Sequence, residues 1–118
     1  MKNQPLTPND AERVAHIVER LLEIEQFVTG LSRDTFSAHI MAVRATVGNL
    51  EIIGESAGKV SQSLKDQYPT VDWAMLKRYR NFLAHEYYAV RYEITWDVIQ
   101  HELLPLKSTF QSILASLT

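Results

Sequence analysis

The sequence predicts an all-α protein, an up-and-down bundle of four to five helices. Three observations carry that expectation. Four glycines and four prolines in 118 residues leave long stretches without a break. Apolar residues within those stretches recur at three- and four-residue steps. No segment alternates apolar and polar residues with the period of a half-buried strand, and long helices with short connections favour antiparallel neighbours.

The first helix is expected to open at Thr7-Pro8-Asn9-Asp10. Thr7 suits the cap, Pro8 the first helical position, and Asp10 the positive end of the helix dipole. Val14, Ile17, Leu21, Ile24 and Val28 then form one apolar stripe, and Gly30 ends it. A second, long helix is expected from Ser32, with Phe36, Ile40, Val43, Val47, Leu50, Ala57 and Leu64 on one face. Gly54 and Ser61 stand where that rhythm calls for a larger side chain, which marks a close helix approach or a bend. Proline at position 69 disfavours helix at Tyr68, so this helix stops there. Asp72 is the expected cap of a third helix, Trp73 to about His85. Residues Glu86 to Arg91 read as a loop or a frayed helix end. The last helix covers roughly Tyr92 to Leu117, kinked at Pro105.

The length suits one domain, spanning residues 1–118. With 46% hydrophobic and 22% charged residues the composition is that of a globular protein. A net charge of −2 means that any nucleic-acid site must be a local patch. The absence of cysteine excludes a disulfide framework, a zinc ribbon and a thiol nucleophile. No apolar run reaches the ~18 residues of a membrane span, and the N-terminus has no signal-peptide pattern. The expectation is a soluble cytoplasmic protein.

Several chemistries find no footing. His16, His39, His85 and His101 lack zinc-ligand spacing. Gly48, Gly54 and Gly58 lie inside a helical pattern instead of a phosphate loop, and there is no nucleophile elbow for a serine triad. No metal or cofactor is expected. Glu51 and Glu55, four apart, can do acid–base work, or they can be a solvated face or partners for arginines.

The stretch RYRNFLAHEYY, residues 78 to 88, is the chemically dense one. Arg80 can hold a phosphate through two hydrogen bonds. His85 titrates near neutrality and can move a proton. Asn81 can orient either group, while Lys77, Arg78 and Arg91 add positive charge. Five positions on a helix turn His85 by about 140° from Arg80, so the two converge only if the helix ends near His85 or the arginine reaches around. Trp73, Tyr79, Phe82, Tyr87, Tyr88, Tyr92 and Trp96 crowd the same region. Aromatics can stack on unpaired bases, and at helical spacing they also build cores. A histidine at a helix end can simply offset the dipole.

Arg80-Asn81-x-x-x-His85-x-Tyr87 resembles the Arg-x4-His-x-Tyr motif of HEPN ribonucleases, and most closely the HepT toxin branch. The likeness extends to NLEIIGESAGKVSQSLKDQYPTVDW (Asn49 to Trp73), similar to that branch's long second helix and following turn, and to ITWDVIQHELLPLK (Ile94 to Lys107), similar to its last helix. The resemblance implies a HEPN bundle acting as a two-fold homodimer. It implies a metal-independent endoribonuclease in which His85 is the acid–base group, Arg80 stabilises charge on phosphorus, and Asn81, Lys77 and Arg78 support RNA. It further implies a toxin–antitoxin pair, in which an MNT-type nucleotidyltransferase antitoxin silences the toxin by placing AMP on Tyr87, with Tyr79 and Tyr88 as rival acceptors. A non-catalytic module that binds nucleotide or scaffolds a nucleotidyltransferase is the alternative.

Overall fold

The computed structural model describes residues 9–85 and 91–118, with the side chains of residues 82–85 outside that description. The first expected helix is α1, Asp10–Val28. Its cap is Asn9, whose side chain accepts a hydrogen bond from the Glu12 N–H at 2.9 Å. Thr7 and Pro8 lie outside the described residues. Val14, Ile17, Leu21, Ile24 and Val28 are buried as the stripe requires. Gly30 then takes φ +79°, a left-handed conformation that reverses the chain.

The long second helix of the sequence reading is divided into three: α2 (Arg33–Ala38), α3 (Ile40–Lys59) and α4 (Gln62–Gln67). Side-chain caps make the breaks. Ser32 and Thr35 form a reciprocal capping box at the start of α2. His39 closes α2 and accepts the Ala42 N–H on its Nδ1 at 3.1 Å, which opens α3. Ser61 caps α4 and is itself held by the Asp10 carboxylate, which accepts from its backbone N–H at 2.9 Å. Asp10 thus serves both the start of α1 and the turn between α3 and α4.

Helix α5, Trp73–His85, has the expected bounds, and Asp72 accepts from the Met75 N–H at 2.9 Å. The last helix is not continuous. After α6 (Tyr92–Val98) come a π-helical turn (Ile99–Leu103) and a 3-10 turn (Leu104–Leu106), then α7 (Lys107–Leu117). The Leu104 N–H reaches back five residues to the Ile99 carbonyl. The wide turn before Pro105 and the tight one around it take up the backbone groups that a proline leaves unmatched.

Among the described residues four long rods therefore run up and down, with α2 and α4 as short connectors. Contacts far apart in sequence set the directions. Ser61 at the end of α3 meets Asp10 at the start of α1. Lys107 at the start of α7 meets Glu25 near the end of α1, at 2.7 Å. Trp73 at the start of α5 packs edge-on against Phe110 of α7, with ring centres 5.6 Å apart. At the other end, Phe36 of α2 packs against Trp96 of α6 at 5.4 Å, and Arg33 grips Asp97 at 3.1 and 3.2 Å. Phe36 and Phe110 are both fully buried, each contributing about 1.5–3 kcal/mol. Inside the bundle Asn49 of α3 donates to the Arg20 carbonyl and to Glu23 of α1, which satisfies the buried amide. Among the described residues there is no strand, and no helix is long and apolar enough to cross a membrane.

Candidate active site

The site is built where α3 and α5 touch most closely. Gly54 is the reason they can. A Cβ on Gly54 would collide with the Cβ of Arg80 and stand 2.7 Å from the Leu76 carbonyl oxygen. Of the two roles foreseen for small residues on this face, Gly54 supplies the close approach and Ser61 supplies the break. With no side chain between the helices, the stem of Arg80 lies directly on the α3 backbone.

Beyond that contact a cleft of about 290 Å³ opens, lined by Gly54, Glu55, Gly58, Lys59, Lys77, Arg80 and Asn81. Lys77 and Arg80 are three apart on α5 and Asn81 four from Lys77, so all three share one face. Asn81 accepts a hydrogen bond from Arg80 Nη1 at 3.3 Å, which biases the guanidinium along the cleft. From α3, Glu55 and Lys59 form an ion pair at 3.1 Å. The Lys59 hydrogen bond holds the Glu55 carboxyl below its ordinary value, helped by Lys59's charge and by the positive fields of Arg80 and Arg13. The cleft offers two cationic groups from α5, one amide and one carboxylate already matched to a lysine. That set can grip a phosphate and keep it beside Asn81.

Arg78 does not join this group. It is one residue from Lys77 and therefore about 100° around the helix. It lines a different cleft, with Asp72, Met75, Tyr79, Ile94 and Glu102, and its guanidinium is 3.9 Å from the Asp72 carboxylate. Tyr79 also faces that side. Its hydroxyl donates to Glu102 at 2.6 Å, and its ionisation is pushed up to about 12, by burial first and by the Glu102 hydrogen bond second. A phenol so held is a poor nucleophile, which weakens Tyr79 as a rival acceptor.

The α5 backbone carries position 85 one turn beyond Asn81. Tyr87 and Tyr88 lie outside the described residues, as does all but Arg91 of the stretch Glu86 to Arg91 that reads as a loop or a frayed helix end. Trp73, open to both a core and a base-stacking reading, packs on Phe110 while still lining a surface cleft. Glu55 appears in the sequence reading without a place. Lys59 was missed altogether; its one signal was the four-residue step from Glu55.

Sequence comparisons say which proteins the chain is similar to. A family model described as "Ribonuclease HepT-like" matches residues 17–113, a range that includes α3, α5 and the whole cleft. The chain is 31% identical to "Putative RNase TTE0752" of Caldanaerobacter subterraneus subsp. tengcongensis, over 84% of this chain and 88% of that one. It is 31% identical to "Putative RNase MJ0127" of Methanocaldococcus jannaschii, over 70% of this chain and 69% of the relative. "Probable ribonuclease HepT" of Thermococcus cleftensis is 27% identical over 82% of this chain and 88% of its own length. No solved structure matches at comparable significance.

Proposed function

Because this chain belongs to the HepT-like ribonuclease family, we propose that it cleaves RNA at the α3–α5 cleft, without a metal ion, as the toxin of a toxin–antitoxin pair. The observation that carries this reading is the convergence of Lys77, Arg80 and Asn81 on one cleft, with Arg80 pressed onto the backbone at Gly54.

The reaction follows from those groups. The ribose 2′-oxygen attacks the adjacent phosphorus, the 2′-O–P bond forms, and the bond from phosphorus to the 5′-oxygen breaks. One proton leaves the 2′-hydroxyl and one must reach the departing 5′-oxygen. His85 is the residue type in the motif that can do either at neutral pH. Arg80 balances the extra charge on the phosphoryl oxygens. A second copy of the chain, related by a two-fold axis, supplies the second histidine and doubles the positive charge at the shared site.

Tyr87 is the regulatory position in this reading. A cognate MNT-type nucleotidyltransferase transfers AMP from ATP to its hydroxyl: the phenolic oxygen bonds to the α-phosphorus as pyrophosphate and the phenolic proton leave, and the added phosphate competes with RNA for Arg80. Intact mass after incubation with that partner and ATP reports the transfer. The gain should vanish in Tyr87→Phe and persist in Tyr88→Phe; the reverse pattern moves the acceptor to Tyr88.

Cleavage of a defined RNA set, including tRNA, tests the core claim. The protein is first shown by mass to be unmodified, and chelator is present throughout. Wild type cleaves; Arg80→Ala and His85→Ala lose about 10²-fold or more. Full activity in His85→Ala overturns the mechanism. Nucleotide binding by an unmodified protein that cleaves nothing favours the scaffold module.

A further inference from the structure

A second cleft, of about 500 Å³, continues from the first. It lies between α4 and α5 and is lined by Gln62, Lys65, Asp66, Pro69, Trp73 and Ala74 together with Gly58 and Lys77, which belong to both clefts. We propose that this outer cleft is a substrate subsite, which seats the RNA nucleotide one step beyond the two joined by the scissile phosphate and extends the strand path from Arg80 past Lys77 to Lys65. The inference rests on the ribonuclease reading and adds where the rest of the strand goes.

Charge, shape and rigidity point the same way. Lys77 stands at the junction and carries no hydrogen bond or ion pair among the described residues. Lys65 reaches over the cleft, with Nζ donating to the Gly58 carbonyl at 3.4 Å, which leaves two of its three N–H groups for a phosphate. The one acid present, Asp66, accepts from Gln62 at 2.8 Å and is thereby tied to its own helix. A cleft of this size suits a nucleotide-sized ligand.

Trp73 and Pro69 give the cleft an apolar wall. The indole is fixed before any ligand arrives, because its N–H donates to the Tyr68 carbonyl at 3.1 Å and its ring abuts Phe110. A fixed aromatic wall accepts any base without reading its sequence. Trp73 and Lys77 are one helical turn apart, about 6 Å along the axis, the scale of one nucleotide. Gly58 lines both clefts at their junction. A Cβ there would meet nothing within 4 Å, so packing does not demand glycine at this shared position.

The test uses two RNAs with the same scissile step, one a dinucleotide and one extended by several nucleotides on both sides. Two variants touch only the outer cleft. Lys65→Ala removes its cation. Ala74→Glu adds an anion on the first turn of α5, where a carboxylate favours the helix and folding is kept. Both variants should cleave the dinucleotide at the wild-type rate and lose about tenfold in kcat/KM on the extended RNA, equivalent to ~1.4 kcal/mol. Lys65→Ala should also flatten the dependence of log affinity on log salt by about 0.7, the share of one single-strand phosphate contact. Unchanged handling of the extended RNA by both variants overturns the subsite while leaving the nuclease standing. Failure of unmodified wild type to cleave either RNA overturns both.

Discussion

Gly54 of α3 and Arg80 of α5 share a contact that admits no side chain, so the position of the candidate catalytic arginine is set by a missing Cβ on another helix. Gly54→Ala should therefore act on stability and chemistry together. Overpacking of this kind costs about 1–3 kcal/mol, and relief by helix separation moves Arg80 away from Glu55 and Lys59 on α3. Urea unfolding and RNA cleavage, measured on the same preparation, check the coupling. A variant as stable and as active as wild type would show that the contact is slack.

Lys77 and Arg78 are neighbours in sequence and strangers in the structure. Lys77→Ala should weaken RNA binding several-fold and lower its salt dependence, as loss of one phosphate contact does. Arg78→Ala should leave both unchanged, since its guanidinium lies toward Asp72 on the other side of α5. Fluorescence anisotropy with labelled RNA at several salt concentrations separates the two. Equal losses would mean that RNA also crosses the Tyr79 side.

Glu55 sits among cations at the α3–α5 cleft, ionised and matched to Lys59. Its charge repels phosphate and occupies a lysine. Glu55→Gln is expected to tighten RNA binding without lowering kcat. A fall in kcat at unchanged affinity would instead make Glu55 part of the proton chemistry, the role that the sequence left open for it.

Tyr79 offers a pH test that needs no RNA. Its ionisation is raised to about 12 from the ordinary value near 10. A proton held more tightly when folded stabilises the fold fully below about pH 10, and that contribution is lost as pH rises toward about 12. Ultraviolet titration should find a late-ionising phenol that Tyr79→Phe removes. The unfolding midpoint of Tyr79→Phe should fall less steeply with alkaline pH than that of wild type. A phenol titrating at the ordinary value would break the claimed Tyr79–Glu102 bond.

The rods were legible because burial imposes a period. The α1 stripe and the bounds of α5 follow from side chains that must face inward and from Asp72, a cap of the usual type. The breaks at His39 and Ser61 were harder. A histidine that caps through Nδ1 has no distinctive sequence pattern, and Ser61 is fixed by Asp10, fifty-one residues away. The candidate site was legible as a cluster but not as a surface. Lys77 and Arg78 are adjacent in one dimension, and only the helix rotation separates them. Gly54 was readable as a close approach or a bend, but that Arg80 lies on the other side of it was not.

The π-helical turn at Ile99–Leu103 has a mechanical consequence. It splits one rod between two owners: α6 is bolted to α2 by Arg33–Asp97 and Phe36–Trp96, while α7 is bolted to α1 by Lys107–Glu25. A wide turn holds its amides less tightly than an α-helix. The joint thus divides the rod into a part packed on α2 and a part packed on α1, and Ile99 and Leu103 of the turn itself are buried in the core.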